Sequence, residues 1–315
     1  MALFRFAEFE FRFAERRPSA TILARANGSR LVPKEETIQG LERGLQVLEA
    51  LRESASSSLR DLHLATGISK PSLLRILNTL CRGGYVVRRV ADRHYRISAF
   101  NQVGRKPDRH DRVVEAAGPV LDRLCRKVLW PSDLLVPAGG HMERRETSQL
   151  QSPFFPHPGR RDRVGQSVGW LLTGVGRAYL AFCPEDERTR ILNRLVLSDQ
   201  PDDQLAKNRE RMAQILAQTR ERGYGTRDPI FTGGAHGAAP IDDRLAAIAV
   251  PLQGRRRVYG SINLLWIKTA FTVEDFAAQH LADLQAAARD IVCTLETANR
   301  PAGPAGPFRQ AASGA

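Results

Sequence analysis

SKPSLLRILNTLCRGGYVVRR, residues 69–89, predicts a helix that is followed at once by a basic strand. Ser69 is a favourable N-cap residue, and Pro71 stands in the first turn, where a missing N–H costs no hydrogen bond. Apolar residues then recur at spacings of three and four, which predicts one buried helical face. Gly83 and Gly84 end the helix, so the arginines that follow belong to a separate element.

Two further helices are predicted before this one. Residues 37–54 begin with a possible N-cap threonine and carry apolar side chains on one face, namely Ile38, Leu41, Leu45, Leu48 and Leu51. Ser58 can cap a second, short helix, and Gly67 stands where a left-handed C-cap is wanted. Residues 85–100 predict two strands around a turn at residues 91–92. Three helices and then a β-hairpin are typical of a winged helix-turn-helix.

In such a fold the third helix enters the major groove of DNA with its N-terminus first. Small and polar residues at that end allow close approach to phosphates and base edges, and the free N–H groups there favour phosphate. The hairpin, or wing, can meet the neighbouring backbone or the minor groove. The predicted DNA-contacting residues are Ser58, Ser69, Lys70, Pro71, Ser72, Arg75, Arg88, Arg89, Arg93 and Tyr95.

The charge of the chain supports a polyanionic partner. Its formal net charge is +13, which favours nucleic acid or an anionic membrane surface. Residues 37–110 contain 13 Lys and Arg against 6 Asp and Glu, a net charge of +7. The alternative is a winged helix that contacts another protein, with its arginines merely solvated.

Other composition signals are negative. No apolar run is long enough to span a bilayer, so no membrane partner is expected. The four cysteines are scattered, and none forms a C-x-x-C pair or a plausible metal set with the seven histidines. We therefore expect a reduced, cytoplasmic setting, with no metal and no cofactor.

The segments GLERGLQVLEAL, LRDLHLATGISKPSLLRILNTLCRGGYVVRR and YRIS resemble the DNA-binding half of the IclR family of bacterial transcription regulators. The resemblance continues to about Glu296. Within the family, WPSD, RETSQLQSPF, VGW and YLAFCPEDER are similar to the branch that regulates breakdown of hydroxyphenylpropionate and related aromatic acids. The resemblance implies a homodimer or homotetramer on duplex operator DNA, a small carboxylic acid effector, and RNA polymerase as a further partner.

The larger C-terminal part predicts an α+β domain. The polar residues 101–110 mark a joint, and the amphipathic helix after it is predicted to be interrupted at Gly118 and Pro119. Strands, then helices, including one over residues 202–225, and then a hydrophobic hairpin favour an antiparallel sheet. The resemblance implies a GAF-like effector domain.

These observations divide the chain into five predicted parts. They are a disordered extension (1–36), a winged helix-turn-helix (37–100), a linker helix (101–130), a GAF-like effector-binding and oligomerisation domain (131–298) and a disordered tail (299–315).

The turn TGVG, residues 173–176, opens a predicted helix whose N–H groups can bind a carboxylate. The alternative is a tight packing turn between helix and sheet. Dinucleotide binding is not favoured, because the third glycine and a parallel βαβ unit are lacking.

The resemblance implies that Gly174, Val175, Asp228, Ala247, Asn263 and Leu265 line the effector pocket. Trp170 and Leu172 add apolar character, which favours an aromatic acid over a two- or three-carbon acid. Each of these residues can equally be plain core.

The basic, proline-broken residues 152–165 predict a loop. Phe154 and Phe155 can cover a pocket, and Arg160 or Arg161 can pair with a ligand carboxylate. The alternative is a surface loop or a subunit contact.

No catalytic constellation is visible: H-E-x-x-H, a Walker loop and a Cys/His pair with supporting residues are all missing. The sequence therefore predicts a ligand-responsive DNA-binding regulator rather than an enzyme. The alternative is a constitutive, architectural DNA-binding protein whose C-terminal part only oligomerises. A ligand-sized cavity favours the first, and a filled core favours the second.

Overall fold

The computed structural model describes residues 38–54, 56–99, 110–154, 164–239 and 241–298. The predicted extension, the tail, the N-cap Thr37 and most of the predicted joint lie outside the described residues. So do Phe155, Arg160 and Arg161. The described residues from Gln39 onward belong to one compact unit.

The first part of this unit is a winged helix-turn-helix, as predicted. Its elements are α1 (Gln39–Glu53), α2 (Leu59–Thr66), α3 (Lys70–Arg82), β1 (Val86–Arg88) and β2 (Tyr95–Ile97). The two strands pair antiparallel. We call β1, β2 and their connecting turn, residues 86–97, the wing.

Both predicted ends of α2 are confirmed. Ser58 and Asp61 form a capping box at α2: the Asp61 N–H donates to Ser58 Oγ at 3.1 Å, and the Ser58 N–H donates to the Asp61 carboxylate at 2.9 Å. Gly67 ends α2 in the left-handed conformation, with φ of 67°. Ser69 occupies the N-cap position of α3, but its hydroxyl donates to Ser72 Oγ instead of accepting from the helix.

Helix α1 buries only the C-terminal part of the predicted face, together with Val47. Val47 and Leu51 enter the core of the winged helix, whereas Leu41 and Leu45 are 59% and 52% exposed. The three-helix core is small, and it covers only the C-terminal half of α1. The apolar stripe that begins at Ile38 therefore remains on the surface.

Helix α4, Asp111–Val128, is continuous, so the predicted interruption at Gly118 and Pro119 is wrong. Proline removes one backbone hydrogen bond from a helix. Here the buried side of the helix, which includes Leu121 and Leu124, packs against the sheet described next and outweighs that loss.

A six-stranded antiparallel sheet forms the centre of the C-terminal part. Its strands are β3 (Asp133–Ala138), β4 (His141–Thr147), β5 (Ser167–Val168), β6 (Gly225–Thr226), β7 (Leu245–Gln253) and β8 (Val258–Ile267). Their spatial order is β5-β4-β3-β8-β7-β6. This confirms the predicted α+β class with an antiparallel sheet.

Helices cover both faces of the sheet. Besides α4, they are α5 (Gly174–Phe182), α6 (Glu185–Val196), α7 (Arg209–Arg222) and α8 (Val273–Ala298). Helices α4 and α8 pack on one face, and α5, α6 and α7 build a second core on the other. Within the described ranges, no helix has the length and apolar character needed to cross a membrane.

The single helix predicted over residues 202–225 is two elements. A 3₁₀ helix spans Pro201–Lys207, and α7 begins only after Asn208. The Asn208 side chain accepts the Arg211 N–H at 3.0 Å, so it acts as an N-cap and restarts the chain as a new helix.

Candidate functional site

Helix α3 presents a polar surface at its N-terminal end. Lys70, Pro71 and Arg75 are exposed, as is Ser69, and Ser72 is partly buried. Asn78 is exposed one turn further along the helix. Asn78 was not among the predicted contacts, although an asparagine one turn after the arginine matches the spacing of a DNA-reading face.

The wing exposes two of its four predicted DNA contacts. Arg88 and Arg93 are exposed, and the Arg88 guanidinium lies 5.5 Å from the Tyr95 ring centroid. Tyr95 itself is 3% exposed and packs in the core of the winged helix. Arg89 is paired with Asp92 at 3.0 Å, and its side chain is 17% exposed. Tyr95 and Arg89 therefore support the wing rather than offering a free surface to DNA.

Ser58 differs from the other predicted contacts. Its hydroxyl and its N–H are both engaged with the Asp61 carboxylate in the capping box. Its structural role is to fix the start of α2.

A cavity of about 640 Å³ lies between the sheet, the start of α5 and the segment between β6 and β7. We call it the sheet cavity. Five of the eight predicted effector residues line it, namely Gly174, Val175, Ala247, Asn263 and Leu265.

The other three predicted effector residues are outside the lining. Trp170 is fully buried, and its ring meets Tyr179 edge-on with centroids 5.5 Å apart. Leu172 is likewise buried. Asp228 is ion-paired with Arg177, whose buried guanidinium requires a counter-charge. These three residues hold the start of α5 in place and do not face the cavity.

The glycines of the TGVG turn serve packing. A Cβ on Gly174 would lie 2.9 Å from the Gly225 carbonyl oxygen, and one on Gly176 would lie 2.1 Å from the Trp170 carbonyl oxygen. The packing-turn alternative therefore accounts for both glycines, although Gly174 also lines the cavity. A larger residue at Gly174 would displace α5 from β6, so it is a poor probe of ligand binding alone.

Hydrogen-bond donors converge on the cavity at this turn. The N–H groups of Gly174 and Val175 are the first two of α5 and have no intrahelical carbonyl to bond. Asn263 Oδ1 accepts the Asp133 N–H at 2.7 Å, which leaves the amide NH₂ group as the side that can serve the cavity. The arrangement suits an anionic oxygen.

Arg144 lines the cavity but was not among the predicted effector-binding residues. It is 7% exposed; its Nη1 donates to Gln166 Oε1 at 2.7 Å, and its Nε lies 3.1 Å from Asp133 Oδ2. The buried Nε has no hydrogen bond within the described part of the chain. A charged residue at an inward position of the alternating strand HMERRET was the available signal.

Arg227 lines the same cavity from the segment after β6. Its Nη1 donates to both carboxylate oxygens of Asp243, at 2.8 and 3.0 Å, and to the Leu245 carbonyl at 2.9 Å. Arg144 and Arg227 are therefore each balanced by an aspartate. Any anion in this cavity would therefore depend on neutral N–H donors rather than on an unpaired positive charge.

One loop of the cavity wall is anchored by a histidine. Gly234, Ala235 and Ala238 line the cavity, and between them His236 Nε2 lies 3.2 Å from both oxygens of the buried Asp203 carboxylate. The hydrogen bond to Asp203 raises the pKa of His236 above its ordinary value. The backbone N–H of His236 also donates to the Ser167 carbonyl at 3.1 Å, which joins the loop to β5.

Two family models match this chain. The IclR helix-turn-helix domain matches residues 40–89, and the bacterial transcriptional regulator IclR C-terminal domain matches residues 109–293. The chain belongs to the IclR family. It is therefore a DNA-binding transcription regulator, with the winged helix as its DNA-binding part.

Two curated bacterial regulators are similar to this chain over more than half of its length. The transcriptional repressor IclR of Escherichia coli is 27% identical over 199 residues, which are 62% of this chain and 71% of that protein. The regulator XynR of E. coli is 26% identical over 192 residues, 59% of this chain and 73% of that protein.

Solved structures of the IclR type are similar at lower identity. A transcriptional regulator from Rhodococcus sp. RHA1 is 20% identical with a TM-score of 0.47, and the match covers 84% of this chain and 100% of that one. An IclR homologue from Microbacterium hydrocarbonoxydans, complexed with 4-hydroxybenzoate, is 18% identical with a TM-score of 0.45 and coverages of 82% and 99%.

Proposed function

We propose that this regulator binds operator DNA through α3 and the wing, and that it senses a small carboxylic acid, preferably aromatic, in the sheet cavity. The main support for this proposal is the cavity. Its volume is about 640 Å³, it has N–H donors at the α5 turn, and its apolar walls include Leu135, Val168 and Leu265. That volume lies in the range of small-molecule sites and exceeds what a two- or three-carbon acid fills. Donors at one end and apolar walls elsewhere suit a carboxylate joined to a ring.

The alternative, a constitutive regulator whose C-terminal part only oligomerises, is less well supported. In a domain that only oligomerises, a large cavity lined by buried polar groups would lower the stability of the fold, because unfilled volume and unbonded donors are both unfavourable. Asn263 and Arg144 are both more than nine-tenths buried and line that volume.

The experiment that tests the function is a ligand titration with DNA as the second readout. Calorimetry against hydroxyphenylpropionate, 4-hydroxybenzoate, phenylacetate and pyruvate is expected to show saturable binding of an aromatic acid and no binding of pyruvate. The bound acid should change operator affinity and should be recovered unaltered, because a ligand shifts an equilibrium only by its preference for one state. The proposal would be contradicted if none of these acids bound, or if an acid bound without changing the affinity for operator DNA.

We further propose that two chains associate through the exposed stripe of α1, so that two α3 helices read a pseudo-palindromic operator. One recognition helix covers few base pairs, and pairing is the usual way to gain affinity. Ile38, Leu41 and Leu45 are 73%, 59% and 52% exposed and lie at helical spacing, which is the pattern of a helix seam.

Substitution of this stripe is expected to weaken self-association. Leu41→Asp combined with Leu45→Asp places two charges in the proposed seam, so light scattering should show a smaller species at the same concentration. Leu197→Asp is the matched control, because Leu197 is 84% exposed and lies elsewhere, after α6. An unchanged mass for the double variant would place the contact on another surface.

A further inference from the structure

The turn of the wing is held by a buried carboxylate from the C-terminal part of the chain. The Ala91 N–H donates to Glu146 Oε1 at 2.9 Å, and the Val90 N–H lies 3.4 Å from Oε2. Glu146 is 1% exposed, and Val90 and Ala91 are 8% and 3% exposed. Burial raises the pKa of Glu146, while the hydrogen bond from the Thr147 N–H opposes that rise.

Other contacts fix the base of the wing to the same support. The Ala99 N–H and the Ser98 hydroxyl donate to the Glu115 carboxylate of α4, at 2.6 and 2.5 Å. Arg96 Nη1 lies 3.4 Å from Asp111 Oδ1, also on α4. With the base anchored on α4, the wing turn is held by Glu146, which accepts two of its N–H groups, and by Gln151, whose Nε2 donates to the Val90 carbonyl at 3.0 Å.

Strand β4 links Glu146 to the sheet cavity. Arg144, two residues earlier, lines the cavity, and alternating residues of a strand normally share a face. A β-bulge at Arg145 changes this: Leu134 pairs with Glu146, and the next residue, Leu135, pairs with Arg144. Leu134 lies in the core beside α4, and Leu135 lies in the core beside α5. Arg144 and Glu146 therefore face opposite sides of the sheet.

We propose that Glu146 is a positioning residue for DNA binding, because it holds the wing in the position that contacts the operator. We further propose that a ligand in the sheet cavity shifts strand β4, and that this shift reaches the wing through Glu146. The second half rests on the proposed function. A ligand that engages Arg144 changes its contacts with Asp133 and Gln166, and the bulge converts a movement of β4 on the cavity side into a movement of Glu146 on the wing side. The first half requires only that the chain binds DNA.

Two substitutions of Glu146 separate this role from general folding. Glu146→Ala leaves the N–H groups of Val90, Ala91 and Thr147 without their acceptor in a buried place, so it is the severe variant. Glu146→Gln keeps the size and one acceptor oxygen but turns an NH₂ group toward one donor, so it is the mild variant. Glu143→Gln is the matched control, because Glu143 lies on the same strand, partly exposed, and pairs with Arg145 at 3.6 Å.

The measurements are operator affinity with and without the acid, acid affinity by calorimetry, and hydrogen exchange of peptides that cover the wing. For Glu146→Gln we expect operator affinity about tenfold weaker, faster exchange at residues 86–97 only, unchanged acid affinity, and an acid effect on DNA binding that falls toward none. Glu146→Ala should show the same pattern more strongly, and Glu143→Gln should match the parent.

Two results would overturn the proposal. One is parental operator affinity and parental wing exchange in Glu146→Gln. The other is a loss of operator affinity that comes with an equal loss of acid affinity and a general rise in exchange, since that would be a stability effect. If no acid binds the parent protein, the proposed sensing function fails, but operator affinity and wing exchange still decide whether Glu146 positions the wing.

Discussion

A variant with alanine at both Lys70 and Arg75 is expected to bind its operator about 100- to 1,000-fold more weakly than the parent. Both side chains are exposed near the N-terminal end of α3, where a recognition helix meets base edges. A good contact from such a side chain is worth about 1–3 kcal/mol of discrimination between bases. Fluorescence anisotropy on operator and on scrambled duplexes, at fixed salt, would measure both affinities.

The loss should be larger on the operator than on scrambled DNA, because only base contacts carry sequence information. The control variant changes Arg190 and Lys207 to alanine, which removes the same charge from exposed positions in the C-terminal part. Its affinity should remain near that of the parent. An equal loss on operator and scrambled duplexes would mean that Lys70 and Arg75 contact only phosphates.

Filling the sheet cavity is expected to abolish effector binding. Ala247 is 5% exposed and lines the cavity from β7, opposite Leu265 of β8. Ala247→Phe places a ring in the volume that we assign to the ligand, so affinity for the acid should fall by at least about 100-fold, which corresponds to about 3 kcal/mol. Calorimetry of the parent and the variant with the same acid measures the effect.

Ala247→Phe should still bind the operator, because the substitution leaves α3 and the wing unchanged. Its operator affinity should lie between those of the acid-free and the acid-bound parent, and it should no longer respond to added acid. Ala282→Phe carries the same added ring at an exposed position of α8 and should bind the acid like the parent. Unchanged acid affinity in Ala247→Phe would place the ligand somewhere other than the sheet cavity.

The winged helix could be predicted largely from local signals. The helix ends depend on residues within one turn of the chain, namely Ser58, Gly67 and the double glycine after α3. Their effect can therefore be predicted from the residues next to them in the sequence. The face of α1 could not be read in this way. Both Leu45 and Val47 are apolar, and only the size of the surrounding core decides that Val47 is buried and Leu45 is exposed.

The cavity was predictable in part. The resemblance placed Ala247, Asn263 and Leu265 on one hairpin, and all three line the sheet cavity. Trp170 and Asp228 lie outside the cavity lining because they contact Tyr179 and Arg177 of α5, and these contacts are visible only in three dimensions. Arg144 was missed because its counter-charge, Asp133, comes from a neighbouring strand, so nothing near it in sequence marks it as paired.

The contact of Gly174 with the Gly225 carbonyl bears on how this sensor can be retuned. The backbone of α5 rests directly on the backbone of β6, so the end of the cavity that we assign to the carboxylate is a fixed part of the scaffold. The walls at Leu135, Val168, Ala247 and Leu265 are made of side chains and can be exchanged separately. If the proposed site is right, a mutant library for new ligands should vary these four wall positions and keep the glycines, which is expected to yield variants that share one end of the cavity and differ in the ring they accept.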